Sequence, residues 1–140
     1  MYEELKLDNQ LCFPLYSCAK GVVGKYKPFL DELDLTYTQY IALLVLWEKR
    51  KTNVKTLGEA LSLDSGTLTP LLKKLQEKGL ISRERDPEDE RNLTVSLTPE
   101  GEKLELKARE IPSRISRCID LSKEDSIALY GILRKLMAKL

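Results

Sequence analysis

Histidine is absent from this 140-residue sequence, and the three cysteines, Cys12, Cys18 and Cys118, form no CxxC pair. Zinc sites built on the usual ligand spacings are thereby excluded, and so is any nucleophile activated by a histidine. Aromatic residues make up only 6% of the chain, with a single tryptophan. No apolar run approaches the roughly 20 residues needed to cross a bilayer. The opening Met-Tyr-Glu-Glu-Leu-Lys does not read as a signal peptide, so a cytoplasmic protein with no membrane partner is expected. Nor is there a large charge of one sign. The formal net charge is +1, which argues against nonspecific coating of nucleic acid.

What is present suits one globular domain over residues 1–140, with 42% hydrophobic and 32% charged residues and a core of its own. The small net charge conceals an uneven distribution. Residues 1–48 hold four basic and seven acidic side chains, residues 49–85 nine and four, and residues 86–140 ten and eleven. The basic excess surrounds the stretch from Leu63 to Leu80. There Leu68, Leu71, Leu72 and Leu75 recur at i, i+3, i+4 and i+7, one stripe of an amphipathic helix. The opposite face carries Thr69, Pro70, Lys73 and Lys74, with Thr67 at its edge. Proline is tolerated only in a helix's first turn, which predicts Thr67 as N-cap with Ser65 and Gly66 in the entering turn. Gly79 is expected to close the helix. Its hydroxyls suit base edges and its ammonium groups suit phosphates.

The neighbouring segments give this helix a context. A first helix is expected from about Asp8 to Leu33, with the stripe Leu11, Leu15, Cys18/Ala19, Val22, Tyr26, Phe29 and Leu33. Pro14 strains its start, so that the regular helix either begins near Phe13 or is kinked there, and Pro28 is a second candidate kink. Thr36 and Gln39 form a capping box before Tyr40–Trp47, apolar on all sides and predicted to be the buried central helix. A second box, Thr56 with Glu59, is predicted to open a short helix ending near Leu61, so that two helices and a tight turn make a helix-turn-helix. Leu80–Arg85 and Leu93–Leu97 alternate with period two about a polar loop, which predicts a β-hairpin carrying Arg83 and Arg85. Thr98 and Pro99 start a helix with the stripe Leu104, Ala108, Ile111, Ile115 and Cys118 or Ile119, bent at Pro112. Ser122 with Asp125 caps the last helix. The fold class expected is mainly α with a small β-hairpin wing: a winged helix-turn-helix lobe over residues 36–111, flanked by dimerisation helices in 1–35 and 112–140. The terminal helices carry more apolar surface than one winged lobe can bury, hence a homodimer.

Asp89-Glu-Arg91, followed at fixed spacing by Leu97-Thr98 and Gly101, resembles the wing and wing-to-helix return of the MarR family. The sharper resemblance is to the OhrR-like branch with the SarZ and MgrA regulators. It is carried by Gln10-Leu-Cys12-Phe-Pro-Leu-Tyr16, Tyr26-Lys, Leu35-Thr-Tyr37 and Leu63-Asp-Ser-Gly-Thr-Leu-Thr-Pro70. The resemblance spans Leu11 to Leu140. It implies a homodimeric regulator, as repressor or dual regulator, that binds a pseudo-palindromic double-stranded DNA operator and responds to organic hydroperoxide. It also implies that Cys12 is oxidised to sulfenic acid and DNA is then released, with Tyr16, Tyr26 and Tyr37 hydrogen-bonding the reactive sulfur. Arg91 is implied to enter the minor groove while Asp89 steadies the wing, and some members resolve the sulfenate with a second cysteine, here Cys118. No cofactor or metal is implied.

The residues bear on that picture independently. A free thiol of pKa ~8.5 is mostly protonated at neutral pH, and without histidine its activation must come from a helix N-terminus and hydroxyl donors. Tyr16 lies one turn beyond Cys12. Tyr26 lies fourteen residues beyond, within about 40° of the same face but about 21 Å along the axis, so it can meet only the Cys12 of a partner chain. Cys18 is about 9 Å and about 240° from Cys12, which bars an intrahelical disulfide. Both Cys18 and Cys118 lie on apolar stripes, where buried packing roles are expected. Two other functions stay open on the residues alone: a regulator whose effector is a lipophilic or phenolic ligand, with Cys12 structural, and a thiol peroxidase. The second is disfavoured because no Thr/Arg constellation surrounds Cys12.

Overall fold

The computed structural model describes residues 1–89 and 92–140. Helix α1 (Cys12–Asp31) is followed by α2 (Tyr37–Lys49), strand β1 (Lys51–Asn53), α3 (Val54–Leu61), α4 (Ser65–Glu77), β2 (Ile81–Arg85), β3 (Leu93–Leu97), α5 (Pro99–Ala108), α6 (Ile111–Ile119) and α7 (Lys123–Met137). The order is that of a winged helix-turn-helix: α3 and α4 make the helix pair and β2–β3 the wing.

Helix starts follow side-chain caps. The Thr36/Gln39 capping box forms as expected: Gln39 N–H donates to Thr36 Oγ1, and Thr36 N–H donates to Gln39 Oε1. Thr98 caps α5 with Pro99 at its first position, and Ser122 Oγ accepts from Asp125 N–H at 3.0 Å to open α7. Two expected caps are replaced. Asn53, not Thr56, caps α3, its Oδ1 accepting from Thr56 N–H at 2.7 Å. Asp64, not Thr67, caps α4, its Oδ1 accepting from Thr67 N–H at 2.8 Å. A carboxylate at this position also complements the helix dipole, an advantage a hydroxyl lacks. Ser65 and Gly66 therefore belong to the first turn, and Pro70 sits inside the second, where its missing N–H removes one internal bond.

Helix α1 begins at Cys12, beside the Phe13 start that was one of the two expected for it, after two short 3-10 turns at Glu3–Leu5 and Leu7–Asn9. Pro14 is then the third helical residue, where an N–H would have no intrahelical partner, so it costs the helix nothing. Pro28 remains inside the helix. The single helix expected after Thr98 is two, α5 and α6, interrupted at Arg109–Glu110 with Pro112 in the first turn of α6. Proline favours a helix's start and opposes its interior.

The sheet has three antiparallel strands in the order β1-β3-β2. Strand β1, which no alternation announces, follows Arg50, whose positive φ of 64° turns the chain out of α2. Val95 of the central strand β3 then pairs with Thr52 on one side and Arg83 on the other. The buried core gathers around α2, through Tyr40, Leu43, Leu46 and Trp47, and takes in Leu57, the α4 stripe, Ile81, Val95, Ile111 and Ile115. Leu44 is exposed, so α2 is not buried on every side. From α1 the core takes Leu30, a residue off the expected stripe, while Phe13, Leu15, Tyr16, Val22 and Val23 remain exposed. Helix α7 buries none of its residues, leaving Ile127, Leu129, Tyr130 and Ile132 at the surface.

One glycine is imposed by close approach. A Cβ on Gly101 would lie 2.1 Å from Leu80 O and 3.0 Å from the Leu97 side chain. Gly101→Ala should therefore lower stability by about 3 kcal/mol, the upper end of overpacking penalties. Urea unfolding checks this, and an unchanged midpoint would contradict the close approach.

Candidate functional site

Helix α4 presents Ser65, Gly66, Thr67, Thr69, Pro70, Lys73 and Lys74 to solvent, opposite its buried leucines. Hydroxyls gather in its first turns and lysines follow one turn later. Arg83 is half-buried and tied back to α4, its Nε donating to Gln76 Oε1 at 2.5 Å. Arg85 is exposed at the outer end of β2. Asp89 lies in the wing loop, which closes on itself. Asp89 N–H donates to Asp86 O at 3.2 Å, Asn92 N–H to Asp89 O at 3.0 Å, and Asp86 N–H to Asn92 O at 2.9 Å. Arg91, expected in the minor groove, falls outside the described residues. Lys78 turns inward. Its Nζ donates to Gln39 Oε1 at 3.1 Å and to Asp34 O, with Asp34 Oδ2 at 3.6 Å. It thus joins the exit of α4 to the turn before α2.

Cys12 is the first residue of α1 and is exposed. Its sulfur sits at the positive end of the helix dipole. The residues just before it are anchored: Gln10 Nε2 donates to Glu4 O at 2.7 Å and Lys6 O at 2.9 Å, and Asn9 Nδ2 donates to Glu3 O at 2.7 Å. Tyr16 is exposed one turn on, with Lys20 Nζ 5.3 Å from its ring centre. Tyr26 and Tyr37 meet elsewhere, where α1 ends and α2 begins, their rings edge-to-face at 5.0 Å. Tyr40 joins them, 5.8 Å from Tyr26 and 6.4 Å from Tyr37. The three tyrosines expected around one sulfur are therefore not gathered around Cys12 within one chain. Tyr26 and Tyr37 stand together at the far end of its helix.

Cys18 and Cys118 are exposed on the single chain. Their stripes on α1 and α6 run past the edge of the chain's own core. Near the tyrosine cluster, Arg114 of α6 donates to both carboxylate oxygens of Glu32, at 3.0 and 3.2 Å, and stacks 4.0 Å over the Phe29 ring. That hydrogen bonding holds the Glu32 carboxyl below its ordinary range. It also ties α6 to the end of α1.

Sequence reasoning placed Trp47 in the buried central helix but missed its acceptor, for its Nε1 donates to Gly101 O at 2.9 Å in the core. The lone tryptophan carried a signal, since a buried indole N–H needs an acceptor. It missed Lys78 as well, because an ion pair across forty-four residues leaves no local pattern. Among the described residues no cluster suits a metal ion, and no helix is long and apolar enough to cross a membrane.

A family model described as transcriptional regulator SarA/Rot matches residues 25–107. The chain is 48% identical to the organic hydroperoxide resistance transcriptional regulator of Bacillus subtilis, over 99% of this chain and 97% of that one. It is 42% identical to the HTH-type transcriptional regulator SarZ of Staphylococcus aureus, over 98% and 93%. Among solved structures, overoxidised AbfR bound to DNA, a Staphylococcus epidermidis protein, superposes with a TM-score of 0.78 at 34% identity, covering 99% of this chain and 98% of that one.

The tyrosine cluster has a signature in pH. Burial, and then the neighbouring Tyr26 and Tyr37, push the Tyr40 phenol up to about 12, and burial raises Tyr26 too. The fold favours neutral Tyr40, so its contribution is complete below the unfolded pKa of about 10 and is lost as pH rises to about 12. The loss should be about 2–3 kcal/mol. Urea unfolding between those pH values should show this slope in the wild type and a shallower one in Tyr40→Phe. Equal slopes would contradict the assignment.

Proposed function

Because the chain belongs to the MarR-type winged-helix transcriptional regulators of the organic hydroperoxide resistance and SarZ group, we propose that it is a homodimeric DNA-binding regulator switched by oxidation of Cys12. The observation that carries this reading is the separation along α1: Cys12 opens the helix, while Tyr26 and Tyr37 pair at its far end, about 21 Å away. Two first helices packed antiparallel bring each Cys12 to the tyrosine pair of the partner subunit. The exposed apolar faces of α1 and α7 supply the surface for that packing, which a monomer would leave wet. Residues 1–35 and 112–140 are then the dimerisation segments and 36–111 the DNA-binding lobe.

The Cys12 thiolate attacks the terminal oxygen of an organic hydroperoxide. The O–O bond breaks, the alcohol leaves after taking a proton, and Cys12 becomes a sulfenic acid. Tyr16 from its own helix and Tyr26 and Tyr37 from the partner subunit donate hydrogen bonds to the sulfur. A small thiol then condenses with the sulfenic acid, forming an S–S bond and releasing water. The bulkier adduct crowds the seam and spoils the spacing of the two recognition helices, which must match half-sites one helical turn apart. AbfR has been solved on DNA in an overoxidised form, which favours the thiol adduct over added oxygen as the lever. Cys118, exposed on α6, is the alternative resolving thiol.

On DNA, Ser65, Thr67 and Thr69 approach base edges through the close passage allowed by Gly66 and Pro70. Lys73, Lys74, Arg83 and Arg85 serve phosphates, and the wing loop with Asp89 and Arg91 approaches the minor groove. Lys73→Ala should weaken binding to all sequences and flatten the log K against log salt slope by about one unit. Thr69→Ala should cost about 1–3 kcal/mol, mostly on the cognate site. Equal loss on cognate and random DNA would contradict the role given to Thr69.

The chemistry is tested by adding one equivalent of cumene hydroperoxide with a small thiol and following operator binding together with peptide mass. Wild-type protein should release DNA with modification at Cys12, and Cys12→Ser should bind DNA and ignore the oxidant. Primary modification at Cys18 or Cys118 would contradict the scheme. Indifference of the wild type would favour a small-molecule effector, and many turnovers per protein, with hydroperoxide and thiol supplied in excess, a peroxidase.

A further inference from the structure

The tyrosine cluster and the recognition helix are joined by two separate sets of contacts that converge on the same three residues. The first set is aromatic. Tyr40 lies against both Tyr26 and Tyr37 and, 6.4 Å away, edge-on to Trp47. The buried Trp47 indole donates to Gly101 O at 2.9 Å. Gly101 cannot shift without carrying its surroundings. A Cβ there would strike Leu80 O, its N–H donates to Thr98 Oγ1 at 3.1 Å, and that hydroxyl donates to Gly79 O at 2.6 Å. The second set is polar. Gln39, two residues after Tyr37 and buried, accepts from Lys78 Nζ, which also donates to the backbone of Asp34. Both sets end on Lys78–Leu80, where the chain leaves α4 for β2.

We propose that Trp47 and Lys78 are positioning residues that carry displacement of the tyrosine cluster to the exit of the recognition helix. The inference rests on the redox reading above and adds where the signal travels. An adduct at Cys12 that pushes on Tyr26 and Tyr37 loads Tyr40 and the turn before α2 together. Close-packed side chains transmit such a push instead of absorbing it. The indole N–H then acts on that short segment through Gly101 and Thr98, and the Lys78 ammonium acts on it directly, so the helix end turns as a unit. Neither residue needs to touch DNA or oxidant.

The test compares operator affinity of the thiol-reduced and the hydroperoxide-treated dimer, in wild type, Trp47→Phe and Lys78→Met. Phenylalanine keeps an aromatic ring and deletes the indole donor. Lys78→Met keeps the length of a partly exposed side chain and deletes its charge. Each substitution should cut the reduced-to-oxidised affinity ratio by about three- to tenfold, while the rate of Cys12 modification stays at the wild-type value. A purely stabilising role, or a phosphate contact at Lys78, would change both affinities alike and leave the ratio intact. Trp47 is the only tryptophan, so its emission in DNA-free wild-type protein should also shift when Cys12 is modified. Should Trp47→Phe fail to fold, Lys78→Met and that emission decide the matter. A wild-type ratio in either folded variant, or DNA release with unmoved Trp47 emission, overturns the proposal. A wild-type ratio of one overturns the redox reading along with it, and the control reports that separately.

Discussion

Leu80 O occupies the space that a side chain on Gly101 would need, and much of the lobe is arranged around that approach. It brings the first turn of α5 against the point where α4 hands over to the wing. Because the contact is backbone on backbone, Thr98 can bridge it, capping α5 with the same hydroxyl that bonds Gly79 O. The Gly101 carbonyl is left pointing into the core, where Trp47 supplies its donor. Three helices and two strands are thereby referred to one another through backbone contacts, one threonine hydroxyl and the Trp47 indole. The Leu-Thr-x-x-Gly sequence has its explanation here: the threonine caps and bridges, and the glycine makes room.

The rest of the architecture is asymmetric in what it buries. The winged lobe has a full core, with Leu43, Leu46, Leu57 and Leu75 wholly inside. Most of the first half of α1 and all of α7 face outward with apolar side chains. Burying such surface is the main favourable term in association, so these helices act as one half of a core that a second chain completes. A switch located in that seam needs little energy. Moving DNA affinity by two decades takes about 2.7 kcal/mol, the scale of a few buried hydrogen bonds.

The sequence carried most of the fold because its signals were local. The capping residues Thr36, Thr98 and Ser122, the leucine stripe of α4 and the alternation of β2 and β3 each lie within a few residues of what they determine. The misreadings came from competition. Asp64 and Asn53 precede hydroxyl residues that would also cap, and the better acceptor, three residues earlier, sets the helix start. Pro14 strains only a helix that begins well before it, and α1 begins at Cys12. Strand β1 could not be read from Lys51-Thr-Asn53, since its pairing depends on β3 some forty residues later. For the candidate site, the exposed α4 face was legible from spacing and Cys12 was singled out by the family resemblance, whereas Trp47, Lys78 and Arg114 act through partners distant in the chain.

The central claim is that each redox site is built from Cys12 of one subunit and Tyr26 and Tyr37 of the other. A heterodimer separates this from a site within one chain. One subunit carries Cys12→Ser with native tyrosines, and the other carries native Cys12 with Tyr26→Phe and Tyr37→Phe. If the site is shared, the remaining cysteine faces intact tyrosines. It should then react with a stoichiometric organic hydroperoxide at the wild-type rate per cysteine. Reaction at the slower rate of the Tyr26→Phe, Tyr37→Phe homodimer would contradict the account.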